Sequence, residues 1–165
     1  MLVLAWLWLS SAAFADSVTL GPQLEWWPTA ARHQVGPGGA VQYHHEHSWW
    51  GIDAELAVAT GLERSATAEF HHQFVRGAVL WTVEHGAERI AFQAGIGAAL
   101  TFRFDQIQAD VSNYATHSVV PGVRMRLGLG GANPKGITWR WYMGATTVQW
   151  PRVHFDSGFA IGVGW

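Results

Sequence analysis

Residues 89 to 103 constrain the fold most strongly, because their side chains alternate in character along the whole stretch, R-I-A-F-Q-A-G-I-G-A-A-L-T-F-R. Even positions include Ile90, Phe92 and Ile96, whereas the odd positions carry Gly, Ala, Gln or Thr between two terminal arginines. Successive side chains of a β-strand point to opposite faces, so one face of this strand is apolar and the other is small or polar. A soluble sheet would place charged residues on its wet face. The pattern is instead typical of a strand that crosses a bilayer in a β-barrel.

The composition agrees with a single domain whose apolar and polar residues are interleaved. The chain has 165 residues, of which 49% are hydrophobic and only 13% are charged. It contains no cysteine, which excludes disulfides and thiolate metal sites. The net charge of -2, with Lys135 as the single lysine, gives no basic patch for nucleic acid.

Residues 1 to 15 have the pattern of an export signal. A short apolar run is followed by small residues, and Ala13-Phe14-Ala15 fits an A-x-A cleavage site before Asp16. The run is too short to span a bilayer as a helix, and no Lys or Arg precedes it. We therefore expect a signal peptide at 1 to 15 and a mature domain at 16 to 165. No other stretch offers ~20 continuous apolar residues, which excludes a transmembrane helix.

The same alternation recurs along the chain and is interrupted by Gly, Pro and polar segments. It predicts about eight strands, at 17 to 27, 40 to 47, 50 to 58, 70 to 84, 89 to 103, 119 to 129, 137 to 146 and 157 to 165. Tight turns are expected at 47 to 49, 85 to 88 and 130 to 136. Longer loops are expected at 28 to 38, 60 to 69, 103 to 117 and 150 to 155.

Short turns and longer loops alternate in the way that a membrane barrel requires. An even number of strands brings both termini to the end with the short turns. We therefore predict an all-β fold, an eight-stranded antiparallel up-and-down transmembrane β-barrel. A soluble ligand-binding barrel would reverse the faces, and apolar side chains such as Phe92, Trp139 and Phe159 would overfill its interior.

The last seven residues, F-A-I-G-V-G-W, end on an aromatic residue and carry apolar residues at every second position before it. With the export signal and the strand number, this segment resembles the small bacterial outer-membrane β-barrels, the group of the outer membrane protein A transmembrane domain. The resemblance implies residence in a Gram-negative outer membrane, in contact with lipid and lipopolysaccharide. It also implies insertion by the barrel-assembly machinery, with an insertion signal formed by Phe159, Ile161, Val163 and Trp165.

Most charged residues of the predicted strands fall on the inward face. A barrel of about eight strands is only wide enough for its own side chains, so these charges must satisfy one another in the lumen. We expect Arg124 and Arg126 to meet Asp53 and Glu55, because the fork of an arginine matches a carboxylate. The predicted lumen polar network comprises Glu25, His44, Glu46, Asp53, Glu55, Arg76, Glu84, Gln93, Arg124, Arg126, Arg140 and Tyr142.

Two groups of histidines raise the question of a metal site. Residues two apart share a strand face, so His44 with Glu46, or His45 with His47, offers two ligands at a time. The His71-His72 pair is expected at the opposite membrane edge. Because no further cluster completes a coordination shell, we expect no metal and no cofactor.

The expected role is structural or adhesive, through envelope stabilisation or an external ligand bound at the loops, without enzyme activity. One alternative is a narrow pore or a transporter of small hydrophobic solutes. A second is a lipid A-modifying barrel enzyme, which would need an activated serine beside a histidine. His117 and Ser118 are adjacent in sequence and therefore point to opposite faces of a strand, which is poor geometry for such a pair.

Overall fold

The computed structural model describes residues 16–28, 33–47, 49–64, 68–87, 89–109, 112–149 and 152–165. The expected signal peptide at 1 to 15 lies outside this part of the chain. The strands are β1 (Asp16–Pro28), β2 (His33–His47), β3 (Trp50–Arg64), β4 (Ala68–Ala87), β5 (Ile90–Ala109), β6 (Ser112–Ala132), β7 (Ile137–Gln149) and β8 (Arg152–Gly164). Each strand pairs antiparallel with its neighbours in sequence, and β1 pairs with β8 to close the barrel. The predicted all-β, eight-stranded antiparallel barrel is confirmed.

The alternation seen in the sequence separates the two faces of the barrel wall. On β5, Ile96 is 48% exposed and Leu100 is 41% exposed, whereas Gln93 and Thr101 are buried in the lumen. The other strands repeat this arrangement, which places a continuous apolar surface on the outside. This apolar band comprises Leu20, Leu24, Val41, Ile52, Leu56, Val58, Val79, Trp81, Phe92, Ile96, Leu100, Val123, Met125, Leu127, Trp141, Met143, Phe159 and Ile161.

Asp16 and Trp165, the first and last residues that the structure describes, lie at one end of the barrel, which we call the terminal end. The backbone N–H of Asp16 donates to the carbonyl of Trp165 there, and the N–H of Trp165 donates back to Asp16. The turn after β6 lies at the same end, where Asn133 Oδ1 accepts from the N–H groups of Lys135 and Ile137. Gly136 closes this turn at a φ of 81°, a value that a side chain would disfavour. The predicted turn at 130 to 136 is thus confirmed at residues 133–136.

The four predicted longer loops are wrong in extent. β2 already begins at His33, β3 continues to Arg64, and β8 begins at Arg152. The largest error is the segment 103 to 117, where β5 runs to Ala109 and β6 begins at Ser112. Alternation disappears in this segment because both faces of the wall meet solvent there, so neither face has to be apolar.

Three neighbouring strands extend beyond β7 and β8 at the end opposite the terminal end, and β3 follows β4 there as far as Arg64, opposite Glu69. β4, β5 and β6 contain 20, 20 and 21 residues, whereas β1, β7 and β8 contain 13 each. We call the protruding ends of these strands, residues 68–73, 104–109 and 112–117, the tall wall. Its backbone ladder is continuous, from Ala68 opposite Ala109 to Ala109 opposite Ser112.

Among the described residues, no helix is long and apolar enough to cross a bilayer.

Candidate functional site in the lumen

Five charged side chains from five strands meet in the middle of the lumen. We call Glu25, Glu55, Arg76, Arg124 and Asp156 the central cluster. All five are buried. Arg124 connects opposite walls, because Nη1 donates to Asp156 Oδ1 of β8 at 2.6 Å and Nη2 donates to Glu55 Oε2 of β3 at 2.9 Å. A guanidinium held by two carboxylates in this way fixes strands that are distant in the barrel.

Arg76 joins the remaining carboxylate to the same cluster. Its Nη2 donates to Glu25 Oε1 at 2.9 Å and to Glu55 Oε1 at 3.2 Å. Glu55 also accepts from Arg126 Nη1 at 3.4 Å. The carboxylates of the cluster are therefore matched by arginines, as buried ions require if their desolvation is to be offset.

A second group of charges surrounds Asp53, closer to the terminal end. Its carboxylate contacts the guanidinium of Arg126 and the imidazole Nδ1 of His44. Arg140 Nη1 lies 3.4 Å from both oxygens of the same carboxylate. Tyr142 packs beside this group, 5.9 Å from the guanidinium of Arg126 to the ring centre, and donates to Gln23 Oε1.

The terminal end of the lumen is lined by His44, Glu46 and Glu84, which we call the mouth cluster. His44 is buried, whereas the two glutamates are half-buried. His44 Nε2 lies 3.5 Å from Glu84 Oε2, and Gln93 Nε2 donates to Glu84 Oε1 at 2.6 Å. A nitrogen and two carboxylates thus face one another at the entrance to the lumen.

Aromatic side chains fill the lumen on the other side of the central cluster. Trp27 is 2% exposed and packs edge-on against Phe74, with ring centres 5.8 Å apart. The ring of His154 lies 6.3 Å from that of Trp27. Trp27 Nε1 donates to Gln34 Oε1 at 2.8 Å, which satisfies its buried polar group. This aromatic plug lies above the central cluster, since the guanidinium of Arg76 is 5.7 Å from the Phe74 ring.

The structure brings the twelve residues of the predicted network into three contacting groups. Gln93, Glu84, Glu46 and His44 lie at the mouth, and Asp53, Arg126, Arg140 and Tyr142 lie next to them. Glu25, Glu55, Arg76 and Arg124 belong to the central cluster. Arg126 reaches both expected carboxylates, whereas Arg124 binds Glu55 and takes Asp156 as its second partner.

Sequence reasoning missed Asp156, which it assigned to the boundary of a loop. β8 begins at Arg152, so Asp156 and His154 are inward-facing strand residues. Extending the alternation of the last strand backwards from Gly158 by two and four positions would have identified both. The buried Trp27 is a further inward-facing residue, two positions after Glu25 on the same face of β1.

A second candidate functional surface lies on the inward face of the tall wall, which continues the lining of the lumen. Phe70 stands opposite Ile107, and Ile107 stands opposite Tyr114, so the three side chains form one row across β4, β5 and β6. We call this row the apolar ledge. Tyr114 is 61% exposed. β7 and β8 end below the ledge, whereas β3 runs beside it as far as Arg64, opposite Glu69.

A polar row lies directly beneath the ledge. His72 Nδ1 lies 2.6 Å from Asp105 Oδ1, and Arg103 Nε donates to the same carboxylate at 2.9 Å. Asp105 follows Phe104, the last apolar outward residue of β5, and is outside the apolar band. Burial raises the pKa of Asp105, but the hydrogen bonds with His72 and Arg103 outweigh burial, so its pKa lies below the ordinary value.

No protein-family model and no curated protein sequence matches the chain. Solved structures do match. Ail, the attachment invasion locus protein of Yersinia pestis, superposes with a TM-score of 0.68 at 11% identity, over 90% of this chain and 96% of Ail. Neisserial surface protein A gives a TM-score of 0.68 at 8% identity, over 92% of this chain and 97% of that protein. OprG of Pseudomonas aeruginosa gives a TM-score of 0.59 at 10% identity, over 92% of this chain and 94% of OprG.

At sequence identities this low, the structural similarity establishes only the fold of the chain. The chain has the fold of the small eight-stranded outer-membrane barrels, and the predicted resemblance to that group is confirmed at this level.

Proposed function

We propose that the chain is an integral outer-membrane barrel with a sealed lumen, which acts through the tall wall that it presents outside the cell. Its export by residues 1 to 15 and its insertion through Phe159, Ile161, Val163 and Trp165 belong to the same proposal. These four outward side chains are exposed at the end of β8. They would be available to assembly factors before lipid covers them.

The apolar band supports residence in a membrane. A soluble protein rarely exposes contiguous apolar patches above a few hundred Å², because water contact with them is unfavourable. Here the exposed side chains encircle the barrel, from Leu20 on β1 to Ile161 on β8. A hydrocarbon environment removes this cost. With eight strands, and with Asp16 and Trp165 at the same end, we expect the terminal end to face the periplasm and the tall wall to face outward.

The observation that carries the proposed function is the bridge made by Arg124 across the lumen. It spans from Glu55 on β3 to Asp156 on β8, and Trp27 and Phe74 fill the space above. An eight-stranded barrel has room for side chains and little else. Solute passage would require several buried ion pairs to separate, so a role at the surface is favoured over a pore.

The apolar ledge favours contact with a protein partner. Exposed aromatic side chains such as Tyr114 are enriched where proteins bind each other. Ail is named for attachment and invasion, and it has been solved in complex with the heparin analogue sucrose octasulfate. The tall wall here carries Glu69 and Asp105 beside Arg103 and His72, a mixture that does not favour a polysulfated ligand.

Location and orientation can be tested with single cysteines, since the chain has none of its own. Asn113 lies on the tall wall and Asn133 lies in the turn at the terminal end, and both are exposed. In intact cells, a membrane-impermeant maleimide should label Asn113→Cys but not Asn133→Cys. Permeabilisation of the outer membrane should expose both. Labelling of Asn133→Cys alone in intact cells would show that the barrel has the opposite orientation. Equal labelling of both variants would argue against membrane insertion.

The role of the ledge can be tested by retention of cells on a layer of cultured epithelial cells. Expression in a non-adherent Gram-negative strain should increase retention, and Tyr114→Ser should abolish the increase. Tyr43→Ser is the matched control, because Tyr43 is also exposed but lies on β2 near the terminal end, where it donates to Asp16. Equal loss in both variants, or no gain with the wild type, would contradict an adhesive role.

A further inference from the structure

We propose that the mouth cluster of His44, Glu46 and Glu84 is a binding site for a divalent transition-metal cation such as Zn²⁺. One ligand atom from each residue lies within 4.8 Å of the others. The sequence offered His44 and Glu46 as a pair without a third ligand. The barrel supplies the third from β4, a strand that sequence spacing alone does not connect to β2.

Gly51 on β3 allows the side chains of β2 and β4 to meet. It stands between the two strands, opposite Glu46 on one side and Thr82 on the other. A Cβ atom at this position would lie 2.9 Å from His44 Cε1, closer than real contacts allow. The missing side chain therefore leaves space for the imidazole of His44 to lie over β3 and approach Glu84.

The separation of the ligand atoms suits a small tetrahedral ion. Zinc binds imidazole nitrogen and carboxylate oxygen at roughly 2.0–2.2 Å, which places two tetrahedral ligands about 3.4 Å apart. His44 Nε2 and Glu84 Oε2 are 3.5 Å apart, too far for a good hydrogen bond but suitable for two ligands of one ion. Glu46 completes the set from the same face of β2, two residues after His44.

His44 is held by a contact that metal-binding histidines usually make. Its Nδ1 contacts the carboxylate of Asp53, so the proton resides on Nδ1 and the lone pair of Nε2 points into the mouth cluster. Nε2 is buried without a hydrogen-bond partner in the described structure, and His44 is 5% exposed. A buried polar atom without a partner is costly, and coordination of a cation would satisfy it.

The charges at the mouth also favour a cation. Among the residues described, no arginine or lysine forms an ion pair with Glu46 or Glu84. Arg140 offsets part of their charge, but its Nη1 is directed at Asp53, 3.4 Å away. One nitrogen ligand distinguishes the site from the all-oxygen sites that Ca²⁺ and Mg²⁺ prefer. Three protein ligands leave a fourth position for water at the solvent-facing entrance.

The test is a calorimetric titration of the untagged, folded protein in detergent after removal of metals with EDTA. Wild-type protein should bind one Zn²⁺ per chain, and His44→Gln and Glu84→Gln should each weaken binding at least tenfold. Co²⁺ should give the visible absorption bands of a tetrahedral site. His45→Gln is the matched control, since His45 is the next residue but faces outward, and it should bind Zn²⁺ like the wild type.

Several outcomes would overturn the proposal. These are no saturable Zn²⁺ binding, Zn²⁺ binding that is unchanged in His44→Gln and Glu84→Gln, or Ca²⁺ binding as tight as Zn²⁺ binding. Folding of each variant is checked by its heat-dependent mobility on gels. Should His44→Gln not fold, Glu46→Gln carries the same test, because no hydrogen bond or ion pair to Glu46 is lost among the described residues. The assay uses purified protein and therefore does not depend on the proposed surface role.

Discussion

At the scale of single residues, we expect the buried Arg124 to contribute strongly to the stability of the barrel. Its guanidinium is fully buried and donates to Glu55, Asp156 and Thr146, so one side chain connects β3, β6, β7 and β8. Removing one partner of a buried ion pair leaves the other charge unpaired in a low dielectric. The cost of such a change therefore exceeds the small net gain of forming the pair.

Arg124→Glu should lower the unfolding temperature in detergent, because it places a third carboxylate against Glu55 and Asp156. The expected loss is about 3–5 kcal/mol or more. Arg152→Glu makes the same change at an exposed position of β8 and should alter stability by about 1 kcal/mol at most. Thermal unfolding monitored by gel mobility and circular dichroism measures both. Equal unfolding temperatures for the two variants would contradict the assigned pairing.

Gly61 is required where the indole of Trp27 crosses β3. A Cβ atom at Gly61 would lie 2.8 Å from Trp27 Cη2, whereas a Cβ atom at Gly77 on β4 would meet nothing within 4 Å. Gly61→Val should therefore destabilise the barrel by about 1–3 kcal/mol through overpacking. Gly77→Val should be neutral or stabilising, because valine suits a strand. The prediction fails if the two variants unfold alike.

At the scale of strands, the apolar band marks the depth at which each strand enters lipid. On β5, Ile96 lies in the band, whereas Gln106 lies on the same outward face of the tall wall. Ile96→Arg should cost about 2–4 kcal/mol in a bilayer, and Gln106→Arg should cost about 0–1 kcal/mol. Reversible unfolding from lipid vesicles gives both values. A similar cost at the two positions would mean that the tall wall does not extend beyond the membrane.

The position of each segment inside or beyond the apolar band explains which strands could be predicted from the sequence. Residues 89 to 103 alternate because lipid is on one side and the filled lumen on the other, so their strand was evident. Residues 104–109 and 112–117 have water on both sides, so their polar composition resembled a loop although the ladder continues. The sequence pattern does not identify Asp156, because the predicted last strand begins at 157 whereas β8 begins at Arg152. The contact between Glu84 and His44 could not be predicted either, because they lie on different strands that only the closed barrel brings together.

At the scale of the whole molecule, closure of the barrel leaves two surfaces for function. The wall is covered by the apolar band, and the lumen is crossed by the central cluster and filled by the aromatic plug. What remains accessible is the mouth cluster at the terminal end and the tall wall at the other. An opened lumen would need Arg76 and Arg124 to leave three buried carboxylates. The barrel is therefore expected to be impermeable to ions.

Ion conductance across a planar lipid bilayer tests the sealed lumen most directly. Refolded protein inserted into the bilayer should give no current steps above background, while a water-filled porin in the same apparatus should give clear ones. Uniform ohmic steps that appear with each insertion of the wild-type protein would show a continuous water path. That result would contradict the paired lumen and favour a pore.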